Sequence, residues 1–102
     1  MIITTIDHVP GKEINEILGI ARGSDMKGAP TILSSFSDEH HINRILEDVI
    51  GVESKALAKL TKCAEELGAD AIIGARFECT ALEDAHNLKY VVTIYGTAVR
   101  LK

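Results

Sequence analysis

A short polar cluster, Asp38-Glu39-His40-His41, holds the residues of this sequence best suited to binding a metal ion. Imidazole nitrogens and carboxylate oxygens together suit zinc, nickel or copper. Successive helical residues point about 100° apart, so His40 and His41 are poorly placed to hold one ion together. Asp38 and His41 lie three residues apart on one face, and a symmetric ring of subunits could bring the remaining ligands. The alternative interpretation is a solvated, acidic helix start that needs no metal.

Cys63 is a second candidate metal ligand, because a thiolate binds soft metal ions. Lys59 and Lys62 lie within one helical turn of it and would attract the negative charge of a thiolate. The same residue also falls on an apolar stripe with Leu60 and Leu67, and buried cysteine usually packs as a small hydrophobic residue. Core packing is therefore the alternative interpretation of Cys63.

The composition excludes several classes of protein. The chain has 102 residues, which is enough for a single domain spanning 1–102, and its stability would gain from assembly. A net charge of −4 without any run of basic residues argues against a nucleic-acid partner. No apolar stretch approaches the roughly 20 residues that cross a bilayer.

The expected location is the cytoplasm. The N-terminus lacks the basic and apolar segments of a signal peptide. Cys63 and Cys79 form no CxxC pair and are expected to be free thiols in a reducing compartment. The sequence also shows no nucleophile elbow, catalytic triad or phosphate loop, so we expect a protein that is not an enzyme.

Two strands are predicted before the helix. Residues 1–6 are apolar and β-branched and indicate a short strand. Residues 12–23 are predicted as a second strand; a helix is the alternative, but Gly19 and Gly23 disfavour a helix interior. In a strand these glycines would allow bends or close backbone approach. Residues 24–37 are predicted as a loop.

A long or kinked helix follows. Ser37 and Asp38 are both suitable N-cap residues. The apolar residues after them recur with helical spacing on both sides of Gly51: Ile42, Ile45, Leu46, Val49 and Ile50, then Ala56, Leu60, Cys63 and Leu67. Gly68 is predicted as the C′ glycine that ends the helix. Whether Gly51 kinks one helix or separates two stays open.

The C-terminal third predicts a β-hairpin. Residues 71–80 and 89–99 are strand-like, and the polar residues 83–87 connect them. In the first strand, alternation predicts two faces: Ile73, Ala75, Phe77, Cys79 and Ala81 on one, and Ile72, Gly74, Arg76, Glu78 and Thr80 on the other. The last strand is apolar on both faces, so a helix would cover one and a neighbouring subunit the other.

Together these elements predict an α+β fold in ββαββ order. An antiparallel sheet, with about three main strands and a short N-terminal strand, would pack on one long or kinked helix.

The glycine-marked blocks of the chain resemble the YbjQ-like family, often labelled a heavy-metal-binding domain. The matching pieces, in order, are Gly11-Lys12-Glu13-Ile14, Gly19-Ile20 with Gly23, Gly28-Ala29, Gly68-Ala69-Asp70-Ala71-Ile72-Ile73-Gly74 and Gly96-Thr97-Ala98-Val99. The resemblance implies a small subunit of the dodecin-like fold in a ring-shaped homo-oligomer, typically a pentamer. It implies no enzyme activity.

The chain departs from the family pattern in the middle of the predicted helix. Family members usually carry a Gly-Gly-Arg-Ser-like block followed by a Tyr-Glu pair there. This sequence reads Val49-Ile50-Gly51-Val52-Glu53-Ser54, which is shorter and keeps only Gly51 and Glu53. A ligand site formed by that block in relatives would be altered or lost here.

The sequence and the resemblance lead to one expectation with two alternatives. We expect a cytoplasmic, non-enzymatic homo-oligomer that holds a divalent transition metal or another small ligand between subunits. One alternative is a small enzyme with an interfacial site that uses His40, His41 and Glu53. The other is a purely structural ring.

Overall fold

The chain folds into one four-stranded sheet with a long helix packed on one of its faces. The structure is a computed structural model that describes residues 1–30, 39–83 and 87–102. The elements are β1 (Ile2–Ile3), β2 (Ile14–Pro30), α1 (Glu39–Glu66), β3 (Ala71–Glu83) and β4 (Asn87–Leu101). The sheet order is β1-β3-β4-β2, with β1 parallel to β3 and the other pairs antiparallel. These findings confirm the predicted α+β class and ββαββ order.

Helix α1 is continuous through Gly51, so this glycine does not divide it into two helices. It ends as predicted at Gly68, whose φ of 78° is a left-handed conformation that glycine adopts without Cβ strain. The amide of Gly68 bonds the carbonyl of Glu65, and the amide of Ala69 bonds that of Ala64. These two bonds form a Schellman motif, which satisfies carbonyls that the helix end would leave unpaired. The predicted N-cap residues 37 and 38 lie outside the described residues.

Strand β2 is longer than predicted. Residues 24–30, predicted as loop, continue the strand and pair with β4 as far as Pro30 opposite Asn87. The prediction was wrong because Gly28 and Pro30 are typical of loops. Strand β2 lies at the edge of the sheet, where a proline costs little because its missing amide need not serve a second neighbour.

The two predicted faces of β3 are wrong at its first residues, because a β-bulge interrupts the alternation. Gly74 and Ala75 together stand opposite Gly96 of β4, and Gly74 has a φ of 61°. Such a bulge exchanges the faces of the residues before and after it. Ile72 therefore joins Ala75 on the side of α1, while Ile73 lies on the opposite face.

The core lies between α1 and the sheet and is built from small and aliphatic side chains. Its buried members come from the helix and three strands: Ala21, Val52, Ala56, Leu60, Ala64, Ile72, Ala75, Val92, Ile94 and Ala98. A smaller cluster lies on the other face, where Val9 covers Ala71, Ile73 and Val99.

Gly23 sets how closely the helix lies on β2. A Cβ atom at this position would overlap the carbonyl oxygen of Ala56 and the amide nitrogen of Leu60, both in the backbone of α1. Only a residue without a side chain allows two backbones to approach so closely. The sequence-based expectation of close backbone approach is confirmed at Gly23.

Substitution Gly23→Ala should destabilise the fold by about 1–3 kcal/mol, because the helix must move off the sheet and loosen the core. Gly51→Ala is the matched control: its Cβ would meet nothing within 4 Å, and alanine favours a helix interior by about 0.5–1 kcal/mol. Chemical denaturation at one fixed protein concentration would measure both variants. Equal stability of Gly23→Ala and the unmodified protein would contradict this role of Gly23.

Candidate functional site

The candidate metal ligands are spread along the whole helix. His40 and His41 stand in the first turn of α1, Cys63 stands near its other end, and Asp38 lies outside the described residues. At 1.5 Å rise per residue, Cys63 is about 33 Å from His41 along the helix axis. One subunit therefore cannot bring Cys63 and the histidines to the same ion.

Cys63 itself is half-buried and packs against the core beneath the helix. Cys79 is exposed on β3, and both cysteines are free thiols. Among the side chains that the structure describes, which do not include those of residues 39–46, no group of three or more His, Cys, Asp or Glu is arranged to hold a metal ion. A metal site at Asp38, His40 and His41, or at Cys63, stays a prediction.

The face of the sheet opposite α1, here called the open face, is covered by the described residues at one end only. The segment that carries Val9 packs there, as described above. Beyond it, three large apolar side chains of β2 are exposed: Ile17 by 69%, Ile20 by 75% and Met26 by 58%. Ile17 and Ile20 are near neighbours, and Met26 lies further along the strand beyond Arg22 and Ser24; exposed apolar surface of this kind is typical of an interaction surface.

Two rows of polar residues cross the open face next to these apolar side chains. The first row is Arg22, Tyr95 and Arg76, and the second is Ser24, Thr93 and Glu78, each running from β2 through β4 to β3. The hydroxyls of Ser24 and Thr93 lie 3.0 Å apart and form a hydrogen bond that joins β2 to β4.

The charged residues of these rows differ in their partners. Arg76 Nη1 donates a hydrogen bond to the carbonyl of Thr5, at 2.9 Å, and so holds the N-terminal segment against the sheet. Arg22 and Glu78 are exposed and make no ion pair or hydrogen bond within the described part of the chain. They are therefore a positive group on β2 and a negative group on β3 that are available to a partner.

A shallow hollow of about 310 Å³ lies at the β2 edge. Its lining residues are Ser24, Asp25, Met26, Lys59 and Val91. Lys59 Nζ of α1 lies 3.0 Å from Asp25 Oδ1, whose side chain is only 18% exposed. The hydrogen bond from Lys59 is the main cause that lowers the pKa of Asp25, against a smaller opposing effect of burial. This ion pair joins the helix to the edge strand. Both charged residues that line the hollow, Asp25 and Lys59, are therefore already paired with each other.

The described residues thus present an exposed, partly apolar surface that carries one positive group, Arg22, and one negative group, Glu78. Sequence reasoning did not single out these residues, since Arg22 and Glu78 were ordinary polar residues of predicted strands and Asp25 lay in a predicted loop. Register with β4 is what places Arg22 and Glu78 on one face, and that register depends on pairing between distant parts of the chain. Helix α1, the only helix in the described residues, is not long and apolar enough to cross a membrane.

Comparison with known proteins gives consistent matches over the whole chain. The YbjQ_1 family model, described as "Putative heavy-metal-binding", matches residues 1–102. A UPF0145 protein of Colwellia psychrerythraea is 33% identical over 112 aligned positions, covering 100% of this chain and 99% of the relative. A UPF0145 protein of Fervidobacterium nodosum is 36% identical over 107 positions, covering 100% and 96%. Both alignments are longer than the chain, so it lacks residues that these relatives have.

A solved structure supports the fold. A Pediococcus pentosaceus protein of unknown function from the DUF74 family superposes with a TM-score of 0.64 at 21% sequence identity. The match covers 100% of this chain and 98% of that one. At this identity the likeness shows the shared fold.

The Asp25–Lys59 ion pair should make stability depend on pH in acid. The pKa of folded Asp25 lies below its ordinary value of 3.8, so the pair stabilises the fold above that pH and is lost as the pH falls through the folded pKa. The stability difference between the unmodified protein and Asp25→Asn should therefore be largest near neutral pH and shrink below pH 3.8. Urea denaturation across this pH range would measure it.

Glu13→Gln is the control for that series, because Glu13 pairs with Lys102 at 3.3 Å on the surface with both side chains largely exposed. Exposed ion pairs contribute little, so this variant should follow the unmodified protein closely. A stability difference for Asp25→Asn that persists unchanged into acid would refute the role of the ion pair.

Proposed function

The chain belongs to the YbjQ-like family, and from this membership we propose that it works as a non-enzymatic homo-oligomer that binds a metal ion or another small ligand between its subunits. The family itself is one of unknown function: its relatives carry only the name UPF0145. The family description supports a metal as the ligand class. The proposed location is the cytoplasm, where two free cysteines would stay reduced.

The main support for the proposed assembly is that the described part of one subunit leaves part of its sheet exposed. The radius of gyration is 16.9 Å, against about 13 Å for a compact domain of this length. The molecule measures 55 × 21 × 15 Å, so much of its sheet lies one layer from solvent. A second copy would bury the exposed apolar residues of β2. The resemblance supports a ring of five as the number of copies.

Assembly is also what the proposed ligand site requires. Two ligands from the start of α1 leave a metal ion incompletely coordinated, since zinc takes four. A ring repeats each residue once per subunit, so symmetry would bring several copies of the same side chain towards one ion. Coordination between subunits would then link ligand binding to the stability of the ring.

The enzyme alternative meets a geometric difficulty. Glu53 lies about 18 Å from His41 along the axis of α1, so these residues can meet only across an interface.

A structural ring is the second candidate function. It is supported by the exposed apolar side chains of β2, which a second copy would bury without any ligand.

Native mass spectrometry of untagged protein taken directly from cells would test the assembly and the ligand together. We expect a mass of five subunits with a discrete adduct, whose mass would identify the ligand class. Five subunits without an adduct would favour the structural ring. A bare monomer at working concentration would refute both the assembly and the site between subunits.

The double variant His40→Ala/His41→Ala should lose metal uptake while keeping the assembly, because it removes the imidazole ligands from the helix start. Uptake would be measured by elemental analysis after equilibration with zinc and gel filtration. Cys79→Ala is the control: it removes an exposed thiol of β3 that is not among the proposed ligands and should leave the same uptake unchanged. Metal retained by the double histidine variant would exclude these ligands.

A further inference from the structure

We propose that the outer edge of β2 in one copy pairs in parallel with residues 76–83 of β3 in the next copy, so that Arg22 meets Glu78 across the joint. This inference rests on the proposed homo-oligomer and assigns the surfaces that form it. The partner is a second copy of this chain, recognised through backbone pairing and one pair of opposite charges.

Both edges of the sheet have backbone groups available for pairing. Strand β2 is the last strand on one side. On the other side the N-terminal segment pairs with β3 only as far as Ala75, whose amide bonds the carbonyl of Thr4 at 3.0 Å. From residue 76 onwards no described strand lies outside β3. Exposed edges of this kind carry unpaired backbone N–H and C=O groups that can pair with another chain. Closure of the sheet into a ring of subunits would pair these groups.

The strand directions allow this joint to repeat. Strands β2 and β3 are both antiparallel to β4, so they run in the same direction. Rotation about an axis along the strands keeps that direction, so β2 of one copy meets β3 of the next in a parallel pair. The two surfaces differ, which makes the contact heterologous, and a heterologous contact forms a ring when its repeated rotation closes.

On the helix side of β3, no described element covers the position where a neighbour's helix would lie. Gly23, Ile94 and Phe77 form one row across this side of the sheet. Helix α1 lies on Gly23, Ile94 is fully buried, and Phe77 is 53% exposed because the helix does not reach it. In the proposed joint, β2 of the neighbour lies beside β3, so the neighbour's α1 would cover Phe77.

The charges select the register of the joint. Within one sheet Arg22 is level with Arg76, so an unshifted joint would place two arginines side by side. A shift by two residues keeps every side chain on its face and places Arg22 next to Glu78 instead. Closed sheets require such a stagger between their strands. Opposite charges side by side favour this register over the unshifted one.

Disulfide trapping tests the joint directly. The double variant Arg22→Cys/Glu78→Cys would be made in a protein that also carries Cys63→Ala and Cys79→Ala. It would be oxidised with diamide and run on a denaturing, non-reducing gel. Within one copy the two positions are separated by β4 and lie roughly 10 Å apart, too far for a disulfide. Any bridge must therefore join two copies, and a ladder of bands up to the full ring is expected.

Each single-cysteine variant in the same background is the matched control and should stay monomeric on the gel, because a heterologous joint never brings two equal positions together.

A charge exchange gives a second readout. Arg22→Glu and Glu78→Arg should each weaken assembly about tenfold, and the combined variant should restore it. Native mass spectrometry at several concentrations would measure this.

The possible outcomes separate this inference from the proposed function. A ladder with restored assembly in the charge exchange supports the joint. An unmodified protein that assembles, but gives neither a ladder nor a restored charge exchange, overturns the joint and leaves the oligomer standing. Dimers formed by a single-cysteine variant would show a two-fold contact and also overturn it. A monomeric unmodified protein would overturn both proposals.

Discussion

The contact between the backbone of α1 and Gly23 of β2 is the constraint on which the rest of the structure depends. It brings the helix against the edge of the sheet, over β2 and β4, rather than over its centre. The core beneath is built mainly from alanine, valine, leucine and isoleucine, which fit the narrow space that this approach leaves. Because the helix lies to one side, the outer half of β3 stays uncovered.

The bulge at Gly74 has an equally wide effect on the opposite face. By exchanging the two faces of β3, it places Arg76 and Glu78 on the open face with Arg22 and Tyr95 of the neighbouring strands. Gly96 allows this, because a Cβ there would lie 2.6 Å from the Ile72 side chain. The result is a subunit that exposes Arg22 on the edge strand β2 and Glu78 on β3.

In the proposed homo-oligomer, ligand binding would depend on how the copies join. His41 and Cys63 lie about 33 Å apart along α1, so the folding of one subunit cannot bring them to the same ion. Convergence needs neighbouring copies, and the positions of those copies depend on which edges join. A ligand held between subunits would therefore stabilise the ring, and conditions that separate the ring would release the ligand.

The sequence by itself determined the element order, the helix with its end at Gly68, and the C-terminal hairpin, because these follow from local spacing and turn chemistry. Gly23 was recognised as a possible close approach, but what approaches it was decided only by the tertiary structure. The same holds for residues 24–30, which form strand because β4 pairs with them, and for the faces of Ile72 and Ile73. The positions of Arg22 and Glu78 relative to each other also depend on pairing with β4. Such pairing joins residues far apart in the chain, and no local pattern records it.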